Sequence, residues 1–153
     1  MLHVTLFADY FQFYLQDDHA EGRDIAAQWS DDDVARMLTV GPGVVGIGTA
    51  RNMSVPVSLE LLGEAPALDL TAWDHVVECT LVASSGQLVI AGSSDYLPDA
   101  ARIPVAPGMY RVRLACAGLG TVSGSGLEGD DRYHLQLWPA TAAEPVVLKQ
   151  YAG

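Results

Sequence analysis

Apolar and charged side chains alternate most strictly in the stretch Tyr110-Arg111-Val112-Arg113-Leu114-Ala115-Cys116. Successive side chains of a β-strand point to opposite faces, so a two-residue period separates one face from the other. We expect the tyrosine, valine, leucine and cysteine to face a core and the two arginines to point outward. The stretch therefore predicts a half-buried strand.

Similar strand-like runs lie on both sides of this stretch. They cover residues 2–7, 10–16, 44–50, 55–62, 75–83, 87–91, 101–105, 133–137 and 145–149. Short strands at this spacing are typical of sandwiches and barrels, whereas parallel strands would need a helix between most of them. We predict an all-β fold with minor α content, an antiparallel two-sheet β-sandwich with one short helix, in a single domain of residues 1–153.

The same alternation identifies the side chains that the two sheets should enclose. They are Val57, Leu59, Val77, Cys79, Leu81, Val112, Leu114, Leu135 and Leu137. A chain of 153 residues can bury such a core without metal or disulfide links. Cys79 and Cys116 lie in apolar runs, which favours buried free thiols, with a cross-strand disulfide as the alternative.

One helix is predicted at about residues 31–38. Ser30 is a favourable N-cap, and Asp33 three residues later completes a capping-box pattern. The helix would bury a face made of Val34, Met37 and Leu38. Gly41-Pro42-Gly43 would end it.

Charge is the strongest feature of the composition. Asp and Glu number 19 against 8 Lys and Arg, so the formal net charge is -11. This charge repels nucleic acid and anionic membranes and would attract a basic partner, with solubility alone as the alternative explanation. No apolar run approaches the ~18 residues of a membrane helix, and the first residues do not resemble a signal peptide. We expect a cytoplasmic protein that binds neither nucleic acid nor membranes.

Patterns that carry catalysis or hold metals are weak in this sequence. The histidines show no metal-ligand spacing, and a strand would place His75 and its neighbour Asp74 on opposite faces. His134 alternates with apolar neighbours, as a surface histidine would. No serine nucleophile motif occurs, and neither cysteine has an adjacent base. We predict no catalytic residue, no metal and no cofactor, and therefore a protein that is not an enzyme.

Aromatic residues concentrate near the start of the chain. In the predicted strand 10–16 the odd-numbered residues, Phe11 among them, would face the core. Tyr10, Gln12 and Tyr14 would then share the outer face, where tyrosines commonly anchor interfaces. We predict that a partner covers this face, either another protein or a second copy in a homodimer. A second layer of the same chain is the alternative.

Acidic residues form three local groups, at residues 17–24, 31–33 and 128–131. If the fold brings them together, their charge would favour a basic protein partner. The predicted contacts are Asp17, Asp18, Glu128, Asp130 and Asp131. Otherwise these segments are solvated turns and a helix start, or Asp130 and Asp131 pair with Arg111 or Arg113 across the sheet.

Several short motifs stand out in the last half of the chain. They are Trp73-Asp74-His75-Val76-Val77-Glu78, Pro107-Gly108-Met109-Tyr110-Arg111-Val112-Arg113, Gly118-Leu119, Gly126-Leu127-Glu128-Gly129-Asp130-Asp131, Tyr133, and Gln136-Leu137-Trp138-Pro139. Over residues 73–150 this pattern resembles a widespread group of uncharacterised bacterial proteins. The resemblance implies no assigned function and no catalytic residues.

The front half combines an early aromatic strand, Trp29-Ser30-Asp31-Asp32-Asp33 and a glycine turn that leads into a strand. In this it resembles, more loosely, the competence protein J family. That resemblance implies inhibition of a DNA-entry nuclease.

We therefore predict a non-enzymatic binding protein, an inhibitor or immunity-type partner of a basic protein such as a nuclease. The alternative from another class is a small-molecule-binding β-sandwich or barrel. In that alternative, which includes an enzyme, His75 or His134 would lie in the cavity.

Overall fold

The computed structural model describes residues 1–20 and 29–153. Its strands are β1 (Leu2–Phe7), β2 (Gln12–Asp17), β3 (Leu38–Gly41), β4 (Val44–Gly48), β5 (Ser54–Leu61), β6 (His75–Ala83), β7 (Gln87–Gly92), β8 (Ala101–Pro104), β9 (Gly108–Ala117), β10 (Arg132–Pro139) and β11 (Val146–Lys149). The helix α1 spans Asp31–Arg36, and short 3₁₀ turns occupy Asp9–Phe11, Leu97–Asp99 and Leu119–Thr121.

These strands form two sheets, one of six strands in the order β1-β5-β10-β9-β6-β11 and one of five in the order β3-β4-β2-β7-β8. Neighbouring strands run antiparallel, with the exception of β5 and β10, which pair in parallel. The predicted all-β fold with two sheets and one short helix is confirmed. The parallel pair is a difference from the prediction, made possible by the long stretch of chain between β5 and β10.

The core lies between the two sheets. All nine side chains predicted to form it are at most 3% exposed, so the face assignment from the two-residue period is confirmed. Cys79 and Cys116 are buried free thiols, and burial raises the pKa of Cys79 to about 12. Strand β9 lies between β10 and β6, so its inward side chains contact the centre of this core.

Arg111 and Arg113 point to the outer face of β9, as predicted, but they are buried there. Both donate to Glu78 on the neighbouring β6, with Nε–O distances of 3.2 Å and 2.8 Å. Arg111 also donates to the carbonyl oxygen of Ala143, and Arg113 to that of Pro66. Two segments that follow β5 and β10 are therefore held across the outer face of the six-stranded sheet.

The helix is two residues shorter than the predicted span of 31–38, and a strand follows it directly. Ser30 caps the helix and forms the predicted capping box with Asp33, but the helix ends at Arg36 and Met37 adopts a left-handed conformation. The next residues form β3, which pairs with β4 through a hairpin whose turn contains Gly43 at φ 69°. The expectation that Val34, Met37 and Leu38 share a buried face is wrong, because Val34 is 62% exposed.

Both ring nitrogens of the buried His75 bond to the backbone. Nδ1 accepts from the N–H of Tyr151 at 3.1 Å, so Nε2 carries the proton and donates to the carbonyl oxygen of Arg36 at 2.7 Å. The imidazole links β6, α1 and the segment after β11. The alternative that placed His75 in a ligand cavity is therefore wrong. In residues 1–20 and 29–153, no helix is long and apolar enough to cross a membrane.

We expect Leu114→Ala to lower the free energy of unfolding by about 2–5 kcal/mol, because it leaves a cavity at a position that is 0% exposed. The midpoint of chemical denaturation measures this loss. Leu61→Ala is the control, since Leu61 is 44% exposed and its truncation should change little. Equal midpoints for Leu114→Ala and the parent would contradict the packing described here.

The stability of the fold should depend on the protonation of His75. Burial lowers its pKa, and the hydrogen bond to the Arg36 carbonyl opposes this only in part. As the pH falls below about 6.5, the unfolded chain therefore takes up a proton before the folded chain does. The contribution is complete above this pH and is lost as the pH falls toward the lower folded-state pKa.

Denaturation at a series of pH values tests this linkage. His75→Gln should reduce the loss of stability on acidification. The control His19→Gln, at an exposed position, should keep the pH dependence of the parent. The same pH dependence in His75→Gln and in the parent would rule out this role.

Candidate partner-binding surface

The turn between β1 and β2 has an unusual backbone. Tyr10 and Phe11 adopt left-handed conformations, with φ of 59° and 62°. Side chains other than glycine disfavour this region, at a cost of about 1–3 kcal/mol each. The predicted strand 10–16 therefore begins only at Gln12, and Phe11, which was expected in the core, is 44% exposed. Tyr10 is 76% exposed and is not on the strand face of Gln12 and Tyr14.

A third left-handed residue lies at the same place. Met37, which ends α1, has a φ of 61°. The three residues together line one open groove of about 340 Å³, whose other walls include Trp29 and Val34. They are all the non-glycine residues with positive φ in the described part of the chain, so its backbone strain is concentrated at this groove.

The outer face at Gln12 and Tyr14 is partly covered by the same chain. The hydroxyl of Tyr14 donates to Oε1 of Gln12 at 2.6 Å, and burial raises the pKa of Tyr14. Trp29 packs across Gly46, where a Cβ would lie 3.2 Å from its ring. This cover matches the alternative of a second layer from the same chain. Whether a partner or a second copy also covers this face stays a prediction.

Exposed apolar side chains extend the groove into a larger patch. Phe11 packs against Gly126, where a Cβ would lie 3.3 Å from its ring, and Leu127 follows. The backbone N–H of Ala8 donates to the carbonyl of Met53 at 3.0 Å. We call this patch the end surface. It consists of Phe7, Tyr10, Phe11, Met53 and Leu127, which are between 41% and 76% exposed.

Several carboxylates are close in sequence to the residues of the groove and the end surface. They belong to Asp9, Asp31, Asp32, Glu128 and Asp130, of which Asp9 is half-buried and the others are exposed. Asp31 precedes Val34 by one helical turn, and Glu128 follows Leu127. Two arginines are also close in sequence to this surface. Arg36 is already paired with Asp33, and Arg51 with Asp131. The charge of this rim is therefore negative.

Asp17 and Asp18 lie at the other end of β2 from the end surface. Phe11 precedes β2, whereas Asp17 is the last of its six residues and Asp18 follows it, at about 3.3 Å per residue. Asp17 is buried and accepts from the backbone N–H and hydroxyl of Ser85 at 2.9 Å and 2.8 Å. Burial acts to raise the pKa of Asp17, but the hydrogen bonds from Ser85 and His19 outweigh it and hold that pKa below its usual value. Asp18 pairs with Arg102 at 3.3 Å.

Asp131 is also buried, and its partners differ from those considered from the sequence. Oδ2 accepts from the hydroxyl of Tyr133 at 2.6 Å, and Oδ1 lies 2.8 Å from Nε of Arg51. The hydroxyl of Tyr133 in turn accepts from the backbone N–H of Ala50 at 2.8 Å, and burial strongly raises the pKa of Tyr133. The alternative that paired Asp130 or Asp131 with Arg111 or Arg113 is therefore wrong, since both of these arginines pair with Glu78.

The exposed carboxylates of Asp31 and Asp32 precede Val34 of the groove, and those of Glu128 and Asp130 follow Leu127, whereas Asp33 and Asp131 are buried. Asp17 and Asp18 lie at the other end of β2, and residues 21–24 are outside the described ranges. That the acidic groups act together on one partner stays a prediction.

The sequence pattern did not predict Trp29, Met37, Met53 and Leu127 at this place. Leu127 lies between Gly126 and Glu128, and Trp29 shortly precedes the acidic run 31–33, which is common in loops. Met37 and Met53 have no such neighbours and gave no signal. In residues 1–20 and 29–153, no three His, Cys, Asp or Glu side chains are placed to hold a metal ion.

Two solved structures share this fold. One is ComJ, inhibitor of the DNA degrading activity of NucA, from Bacillus subtilis, with a TM-score of 0.71 and 12% identity over 92% of this chain and 96% of that chain. The other is crocagin biosynthetic gene J, with a TM-score of 0.62 and 19% identity over 91% of this chain and 96% of that chain. No protein-family model matches, and no curated protein is similar in sequence.

These likenesses are in fold alone. The fold shared with ComJ agrees with the looser resemblance of the front half to the competence protein J family, whose sequence motifs are not confirmed. The resemblance of residues 73–150 to the uncharacterised bacterial group stays a prediction.

We expect Tyr133→Phe to lower the free energy of unfolding by about 1–3 kcal/mol, because the Ala50 N–H and the Asp131 carboxylate lose a buried partner. Chemical denaturation measures the loss, and hydrogen exchange should rise in residues 49–53 and 126–131. Tyr96→Phe is the control, since Tyr96 is 71% exposed. Equal stability and exchange in Tyr133→Phe and Tyr96→Phe would show that this network does not hold the loops.

Proposed function

We propose that this protein is an inhibitor-type binding protein whose end surface contacts a basic protein, such as a nuclease. One observation carries the proposal: the three strained non-glycine residues of the described chain meet at an exposed aromatic patch with an acidic rim. A strained backbone costs free energy and persists only where the surrounding structure holds it. Such residues cluster at binding and active sites.

The chemistry of the patch suits a protein partner. Exposed aromatic side chains give rigid apolar contact area and are frequent hot spots of interfaces. The carboxylates around it would steer a basic partner to the surface and fix its orientation. The likeness in fold to an inhibitor of a DNA-degrading protein supports a nuclease as the class of partner.

A variant pair separates the aromatic contribution from folding. Tyr10→Asn/Phe11→Asn removes both rings, and asparagine tolerates a left-handed backbone, so the turn should keep its shape. We expect this variant to lose the partner. The control Tyr96→Asn removes an equally exposed aromatic side chain elsewhere and should retain it.

The measurement starts from affinity capture with the parent and both variants as baits. A basic protein held by the parent and Tyr96→Asn, and lost by Tyr10→Asn/Phe11→Asn, supports the proposal. If that protein is a nuclease, its digestion of plasmid DNA should stop on addition of the parent chain. A partner retained equally by all three baits would contradict the role of the end surface.

Charge should act mainly on the association rate. Glu128→Gln/Asp130→Asn removes two rim carboxylates and should slow association with the captured partner. Steering raises association rates by about 10–1,000-fold and weakens as salt is added. Surface plasmon resonance over a salt series measures this, with Glu64→Gln/Asp99→Asn as the control at exposed acids elsewhere. Rates that do not change with salt would make the charge a solubility feature. Asp131 is left intact because it is buried.

A second copy of the chain is the other occupant to test. Light scattering on the parent and on Tyr10→Asn/Phe11→Asn measures the oligomeric state. A dimer that dissociates in the variant would assign the end surface to a homodimer instead of a basic partner.

A further inference from the structure

A second groove lies on the outer face of the six-stranded sheet, over β1, β5 and β10. It has a volume of about 520 Å³, within the range of about 300–1,000 Å³ that is typical of small-molecule sites. Its floor and walls combine apolar and hydrogen-bonding side chains. They include Pro56, Ser58, Trp73, Arg132, His134 and His3.

Strand pairing fixes three polar side chains in one row across this groove. His3 is opposite Ser58 in the β1–β5 ladder, and Ser58 is opposite His134 in the parallel β5–β10 ladder. Ser58 Oγ lies 2.6 Å from Nδ1 of His134, and Nε2 of His134 lies 3.2 Å from Oε1 of Glu60. The imidazole is thus held at both nitrogens, and the wall that it forms is rigid.

Arg132 stands out among the arginines of the described chain. Every other one lies within ion-pair distance of a carboxylate: Arg36, Arg51, Arg102, Arg111 and Arg113. Arg132 has no carboxylate at that distance; its guanidinium lies over the ring of Trp73, at 5.3 Å from the ring centre. Trp73 also stacks on His134, with ring centres 5.8 Å apart and an angle of 7° between the planes.

This arrangement is unexpected in a chain with a formal charge of -11. Acidic residues outnumber basic ones, yet Arg132 lines the groove with no carboxylate within ion-pair distance among residues 1–20 and 29–153. A guanidinium is a strong donor to carboxylate and phosphate groups, because it can make two parallel hydrogen bonds. The adjacent Trp73 and Pro56 offer flat apolar surface to the rest of a ligand.

We propose that this groove binds a small organic anion, with its carboxylate or phosphate on Arg132 and its apolar body against Trp73 and Pro56. Ser58 and His3 line the same groove and add hydrogen-bonding groups to it. The site lies on the outer sheet face and shares no residue with the end surface. A test of partner binding at the end surface therefore does not decide whether this groove binds an anion.

Titration with matched probes tests the site. Benzoate and phenyl phosphate carry the two anionic groups, benzyl alcohol is the neutral counterpart, and inorganic phosphate lacks the apolar body. The chain has three tryptophans, so the indole N–H signals in a ¹H–¹⁵N NMR spectrum report on each, and Trp73→Phe assigns the one in the groove. We expect benzoate or phenyl phosphate to shift the Trp73 signal to saturation.

Benzyl alcohol should bind at least about tenfold more weakly than the better anion, and inorganic phosphate should also be weaker. Saturation by benzoate would identify a carboxylate ligand, and saturation by phenyl phosphate a phosphate ester. Arg132→Gln should weaken binding of the anion about tenfold or more and leave that of benzyl alcohol unchanged. Arg102→Gln is the control, because Arg102 is already paired with Asp18.

Two results would overturn the proposal. One is a Trp73 signal that does not move at millimolar concentrations of either aromatic anion. The other is equal weakening by Arg132→Gln and Arg102→Gln, which would mean that the anion responds only to the overall charge of the protein.

Discussion

The hydroxyl group of Tyr133 is buried between the sheets, where it donates to Asp131 and accepts from the backbone N–H of Ala50. Asp131 is fully buried, so its carboxylate must find partners within the protein, and the hydroxyl of Tyr133 connects it to the backbone at Ala50. The segments after β4 and before β10 are therefore held together at one end of the sandwich. The ring of Phe13, 6.0 Å away and nearly perpendicular, ties the five-stranded sheet to the same point. Because Met53 and Leu127 belong to these segments, the end surface depends on this buried network.

The sheets and their core could be predicted because side-chain direction in a strand follows from sequence position alone. The helix boundary could not, since residues 38–41 gain more by pairing with β4 than their local pattern shows. At Tyr10 and Phe11 the alternation continues in the sequence while the backbone turns left-handed, and a pattern of residue types does not report φ. Asp17 and Asp18 are alike in sequence, yet only Asp17 meets Ser85, 68 residues away, so its burial is a long-range property.

The two candidate sites differ in chemistry although they lie on one small chain. The end surface is aromatic and acidic, and Tyr10 is 76% exposed there. The groove at Arg132 offers a guanidinium that has no carboxylate within ion-pair distance among residues 1–20 and 29–153. A protein partner and a small anion would therefore meet opposite charges and would not compete for the same side chains.

The parallel pairing of β5 with β10 also has a consequence for how the chain is made. Ser58 and His134 face each other across this ladder but are 76 residues apart in sequence. During synthesis, β1 and β5 leave the ribosome well before β10, so the edge of β5 that pairs with β10 stays open while β6 to β9 are added. Contacts of this separation form slowly, and exposed strand edges promote aggregation in the interval. The six-stranded sheet is thus completed late, and until then the edge of β5 is open to pairing with other chains.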